Sequence, residues 1–164
     1  MHFTSLISIS ALAFAHSAHS APTANANHIY AKEYFTSSSL CGTTTWKFNS
    51  KAKAPLVSDC QKLEKELRKS KKDGFSLHGW EHEDKEDDYL TILMKGTCNF
   101  GVSVISANTA PAVIAKGDMA DLLRDAIKYY TDSDHVSSVT GVVYCQANWG
   151  SYSNQELGWT IFAT

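Results

Sequence analysis

The sequence predicts an α+β protein: a two-layer sandwich with two helices on one face of an antiparallel sheet, held by two disulfides. Three observations carry this expectation. Two segments repeat apolar residues at helical spacing, several short segments alternate apolar and polar residues as strands do, and four cysteines are spread along the chain. Placing both helices on one side of a sheet is the economical way to bury both stripes. At 164 residues, with 43% hydrophobic and 11% aromatic content, the chain is long enough for one core and too short for two.

The first segment differs from the rest. Residues 1–20 hold no Lys, Arg, Asp or Glu, and Leu6 to Ala15 is apolar apart from Ser8 and Ser10. This stretch is too short for a bilayer span, which takes about twenty residues. Ala18 and Ser20 precede Ala21 as small residues precede a signal-peptidase cut, so residues 1–20 read as a secretory signal, with Ser17 as an alternative cleavage point. Residues 21–33 read as a flexible Ala/Asn-rich lead and residues 34–164 as the folded domain.

Within that domain, Leu40, Trp46 and Phe48 mark extended segments around Cys41-Gly42. Pro55 is suited to open a helix in which Leu56, Cys60, Leu63 and Leu67 form one stripe. Lys69, Lys71 and Lys72 suit the negative end of its dipole, and Asp73-Gly74 stops it; a solvated helix end is the ordinary reading of that basic run. Phe75 to Trp80 alternates as a strand. An acidic loop, Glu81 to Asp88, follows, then a strand from Tyr89 to Lys95, a turn at Gly96 and a strand from Thr97 to Ile105. Cys98, Phe100, Val102 and Val104 share one face of that last strand.

Ser106 to Lys116 reads as a loop carrying Pro111. A second helix has Asp118 as N-cap and Asp121 at the capping-box position, with Met119, Leu122, Leu123, Ala126, Ile127 and Tyr130 on its apolar face. Thr131 to His135 closes it, and two final strands, Ser137 to Cys145 and Leu157 to Phe162, flank a polar loop with Trp149. The order is strand, helix, hairpin, helix, hairpin.

Cys41, Cys60, Cys98 and Cys145 suit an exported, disulfide-bonded chain, and none forms the C-x-x-C spacing of a zinc or redox site. Four cysteines allow three connectivities. Cys60 on the helical stripe and Cys98 on the apolar strand face favour Cys60–Cys98, leaving Cys41–Cys145, with the other two pairings open. Loops of this length each contribute about 3–5 kcal/mol in the chain-entropy model.

Signatures of catalysis are missing: no G-x-S-x-G, H-E-x-x-H, P-loop or G-x-G-x-x-G occurs. Bridged cysteines offer no thiolate. His78 with His82 and the Glu81–Asp88 loop is the most tempting cation site, but it lacks the EF-hand ligand pattern and reads as a solvated loop. Glu81 with Asp118 as a glycosidase pair has nothing to fix its separation. No catalytic, cofactor or metal residue is therefore assigned, and the chain reads as a non-enzyme. A formal charge of −2 and a basic run at Lys62 to Lys72 without aromatics argue against nucleic acid as a partner. No second apolar run suggests a membrane anchor, and the expected state is a monomer. Trp46, Trp80, Trp149 and Trp159 could stack on sugars but read first as packing.

Several stretches resemble the fungal extracellular-effector family known as necrosis-inducing factors. They are Cys41-Gly42 with Trp46, Ala54-Pro55-Leu56-Val57-Ser58-Asp59-Cys60, and Gly96-Thr97-Cys98-Asn99-Phe100-Gly101-Val102. Gly117 through Ile127, Val139-Thr140-Gly141 through Cys145, and Gly158-Trp159 continue the match in order, with all four cysteines in register. The acidic Glu81–Asp88 stretch and His135-Val136-Ser137-Ser138 depart from the family pattern. The resemblance implies a secreted virulence effector that acts on a host plant component and can induce cell death. It also implies a killer-toxin-like sandwich, and with it the alternative of a toxin against competing microbes. It implies no catalytic residue.

Overall fold

Helix α1 spans Val57–Lys69 and helix α2 spans Lys116–Tyr129. The computed structural model describes residues 30–35, 39–70, 73–78, 89–107, 112–147 and 153–164. The expected signal, the acidic stretch and Trp149 lie outside these residues. Cys60, Leu63 and Leu67 of α1 and Met119, Leu122, Leu123 and Ala126 of α2 are buried, as their helical spacing dictates. The helices pack against each other, and Arg68 of α1 reaches Asp121 of α2 at 3.0 Å.

Both helix starts differ from the sequence expectation. Pro55 stays outside α1 because its carbonyl accepts from Val136 N–H at 2.9 Å, which keeps the chain extended to Leu56. Asp118 is not the N-cap of α2: Ala115 holds that place as the end of a strand, and Asp118 sits in the first turn with its carboxylate turned to another segment. Asp121 forms no capping box and pairs instead with Arg68 and Arg124.

The fold is α+β and its strands are antiparallel, divided between two principal sheets. Strands β1 (Tyr30–Phe35), β4 (Asp73–His78) and β7 (Ala112–Ala115) form a sheet in the order β1-β4-β7. The larger sheet contains β2 (Cys41–Thr44), β3 (Lys47–Phe48), β5 (Leu90–Lys95), β6 (Cys98–Ala107), β10 (Val139–Ala147) and β11 (Ser153–Phe162). Its order is β2-β10-β11-β6-β5, with β3 also on β10. Strands β8 (Thr131–Asp132) and β9 (His135–Val136) make a small hairpin after α2.

Three expectations are corrected here. Residues 30–33, expected within a flexible lead, belong to a strand that pairs with β4. Ala112–Ala115 is a strand and not part of a loop; all four residues are buried, so they show no alternation from which to read a two-residue period. The strand beginning at Phe75 belongs to a different sheet from β5, whereas β5 and β6 form the expected hairpin around Gly96, whose φ of 56° suits the turn.

One core fills the space between the elements. The larger sheet contributes Phe100, Val102, Val143, Leu157, Trp159 and Ile161, and the smaller one Leu77 and Ile114. Among the described residues, a single polar side chain joins the two sheets within it. Gln155 of β11 is 2% exposed; its Oε1 accepts from Val113 N–H at 2.9 Å and its Nε2 donates to Val113 C=O at 2.6 Å. Val113 is on the outer strand of the smaller sheet, so the amide satisfies backbone groups that a further strand would otherwise pair.

Close approach also fixes the edge of the larger sheet. A Cβ at Gly141 of β10 would overlap the Thr45 carbonyl oxygen and come within 2.8 Å of Trp159 Cζ2. One at Gly42 would meet nothing nearer than 3.9 Å. Gly141→Ala is therefore expected to lower stability by about 1–3 kcal/mol and Gly42→Ala to change it by less than about 0.5 kcal/mol, read from urea unfolding midpoints.

Candidate interaction surface

Covalent and polar ties meet at the first turn of each helix. Cys60 of α1 is bonded to Cys98 of β6, and Cys41 of β2 to Cys145 of β10. The residue before Cys60, Asp59, accepts the backbone N–H and the hydroxyl of Thr97 at 2.9 and 3.1 Å, beside Cys98. Asp118 of α2 accepts from Leu40 N–H at 2.9 Å, Cys41 N–H at 3.2 Å and the Ser39 hydroxyl at 3.0 Å. The two carboxylates feel opposite environments. The Thr97 N–H, helped by Lys62, holds Asp59 below the ordinary carboxylate range. Burial pushes Asp118 up, against these donors and the Ala115 N–H, which favour its charge.

The outer face of the larger sheet is built around Tyr89, just before β5. Its side chain lies over Gly101 of β6 and Gly158 of β11: a Cβ at Gly101 would come within 3.2 Å of the Tyr89 Cβ, and one at Gly158 within 3.3 Å of ring atom Cε1. Its hydroxyl is 2.7 Å from Thr140 Oγ1. Thr140 donates to Trp159 C=O at 2.8 Å, so with its one proton committed it accepts from Tyr89. Beside the phenol lies a shallow groove of about 90 Å³, lined by Thr45, Lys47, Ile105, Thr140, Gly141 and Val142 together with Tyr89.

Strand β3 forms the rim of that groove. Upstream of it, Thr44 Oγ1 accepts from Trp159 Nε1–H at 2.7 Å and donates to Val142 C=O at 3.0 Å. Thr45 Oγ1 accepts from Val142 N–H at 2.9 Å. These bonds carry the pairing with β10 through the break between β2 and β3. Trp46 then turns inward, stacked on Tyr130 at 5.0 Å and edge-on to Trp159 at 4.6 Å. Lys47 faces the groove. Phe48 meets Tyr130 at 5.5 Å but is 71% exposed, and Tyr129, next along the chain, is 64% exposed.

The sequence candidates fall differently. His78 Nε2 lies 3.0 Å from Ser76 Oγ, and Ser76 is itself buried. Asp118 is engaged by the 39–41 segment, and its proposed partner Glu81 lies outside the described residues, as do His82, Trp80 and Trp149. Trp159 is core and Trp46 half-buried. Sequence reasoning passed over the Tyr89 platform and the Lys47-Phe48 rim. Glycines inside strands at 101 and 158 were the available signal for the first, since they mark places where another group comes close.

The molecule is thus a disulfide-bonded α+β protein with an aromatic and basic edge. The chain belongs to the Hce2 family, described as "Pathogen effector; putative necrosis-inducing factor", whose model matches residues 40–145. That stretch contains all four bridged cysteines. No curated protein matches the chain.

The two aspartates set opposite pH responses. The lowered folded pKa of Asp59 gives stability that is present above about pH 4 and lost as pH falls through that lowered value. The raised value of Asp118 works the other way, favouring the fold when protonated, and its contribution is lost as pH rises through it. Asp59→Asn is therefore expected to lower the melting temperature more at about pH 7 than at about pH 3, read from thermal unfolding at both.

Proposed function

We propose that the protein is a secreted fungal virulence effector that binds a host plant component and induces cell death there, acting by binding and not by catalysis. The observation that carries this reading is the family match over residues 40–145, which spans both disulfides and both helices. The bridged cysteines agree with an oxidising, extracellular setting. The reading as a binder is supported by the commitment of Asp118 to three donors and by an exposed aromatic edge beside a groove.

The test uses protein expressed with its own amino-terminal segment in a secreting host and recovered from the medium. Infiltrated into leaves of several plant species, it is expected to cause necrosis in some and none in others. A Cys60→Ala, Cys98→Ala variant, which loses about 2–5 kcal/mol of stability, is expected to be silent. Retention of the protein inside the expressing cells would overturn secretion. Silence in every leaf, with growth arrest of competing fungi, would replace the host effector by an antimicrobial toxin.

A further inference from the structure

We infer that the β3 rim and the carboxyl end of α2 form a binding surface for an acidic polysaccharide, a linear polymer of uronic acids. This deepens the host-binding reading by naming the partner class, and it rests on that reading for its setting.

Lys47, Lys51, Lys53 and Lys128 are exposed, and among the described residues none has a carboxylate partner. Other cations are held: Lys62 by Asp59, Lys95 by Glu66, Lys116 by Glu33, Arg68 by Glu64 and Asp121, and Arg124 by Asp121 and Asp125. Lys32, Lys65 and Lys69 are exposed like the rim lysines, but among the described residues no exposed ring lies against them. The formal charge of −2 includes the strongly acidic stretch 81–88 and hides a positive remainder. Of the nearby acids, Asp134 holds His135 at 2.6 Å and Asp132 accepts from the Ser133 hydroxyl at 3.3 Å.

One of these lysines lies over an exposed ring. Phe48 stands against Tyr130, and Lys128 Nζ lies 4.7 Å from the centre of the Tyr129 ring. On the other side of β3, Lys47 shares the shallow groove with the side chains of Thr45, Thr140 and Tyr89. An ammonium beside hydroxyls meets a sugar carboxylate and its neighbouring hydroxyls, while an exposed ring offers an apolar face to a pyranose. Phosphate recognition would favour the fork of arginine, and both arginines of the chain are bound to carboxylates on the helices. A membrane surface would favour a broader apolar patch than one Phe and one Tyr.

The test measures binding of the secreted protein to polygalacturonate oligomers, beside a neutral galactan, a single-stranded DNA and phosphatidylserine vesicles. Binding to polygalacturonate is expected to weaken with added salt and to exceed that to the other three. Phe48→Ala and the triple variant Lys47→Gln, Lys51→Gln, Lys53→Gln are each expected to weaken it about tenfold or more. Lys65→Gln with Lys69→Gln, on the exposed face of α1, is expected to leave it unchanged. All of these side chains are exposed, and circular dichroism checks that each variant keeps the fold. The inference is overturned by no binding, by equal loss in the α1 variant, or by DNA or vesicles binding as tightly. Necrosis without polygalacturonate binding removes this inference alone; binding without necrosis removes the cell-death reading alone.

Discussion

The two sheets of this protein are held in register by one buried amide. Gln155 comes from the larger sheet and closes both backbone groups of Val113 on the smaller one. An amide can do this because it carries a donor and an acceptor side by side, as a peptide does. Without it, a core strand would keep an unpaired N–H and C=O in a dry interior, costing about 1–3 kcal/mol for each group. The rest of the architecture follows from that join. Strand β7 leads directly into α2, so fixing Val113 fixes where that helix starts and where Asp118 can meet the 39–41 segment. The disulfides complete the frame, one tying α1 to β6 and the other tying the β2 edge to β10.

The parts with a clean period were legible in the sequence. The α1 stripe, the β6 face and the β5–β6 turn at Gly96 follow from spacing and from the conformational freedom of glycine. What escaped has physical reasons too. Ala112–Ala115 is buried on both sides and shows no alternation. Tyr30–Phe35 is a strand because β4 pairs with it, a long-range partner that local pattern does not encode. Asp118 looks like a cap, since Asp before an apolar helix usually is one, but tertiary contact claimed its oxygens. Gln155 gave no signal at all, because nothing local tells a surface amide from a buried clamp.

The candidate surface was half visible. The tryptophans read first as packing, and Trp159 in the core and Trp46 against Tyr130 are packed, which leaves the outward role to Phe48 and Tyr129. Lys47 and Phe48 are adjacent in a short strand, so the period of two sends them to opposite sides of the rim. A rigid frame beneath such a rim has a functional consequence. Side chains preorganised by the Thr44, Thr45 and Trp159 hydrogen bonds lose less freedom on binding than those of a loose loop would.

The most direct test of this account is the stability of Gln155→Leu, a change that keeps the side-chain size and removes both hydrogen bonds. The account predicts a loss of about 2–4 kcal/mol in urea unfolding, together with fast hydrogen exchange at the Val113 amide. Stability within about 0.5 kcal/mol of the parent, with Val113 still protected, would contradict it and show that packing alone holds the sheets together.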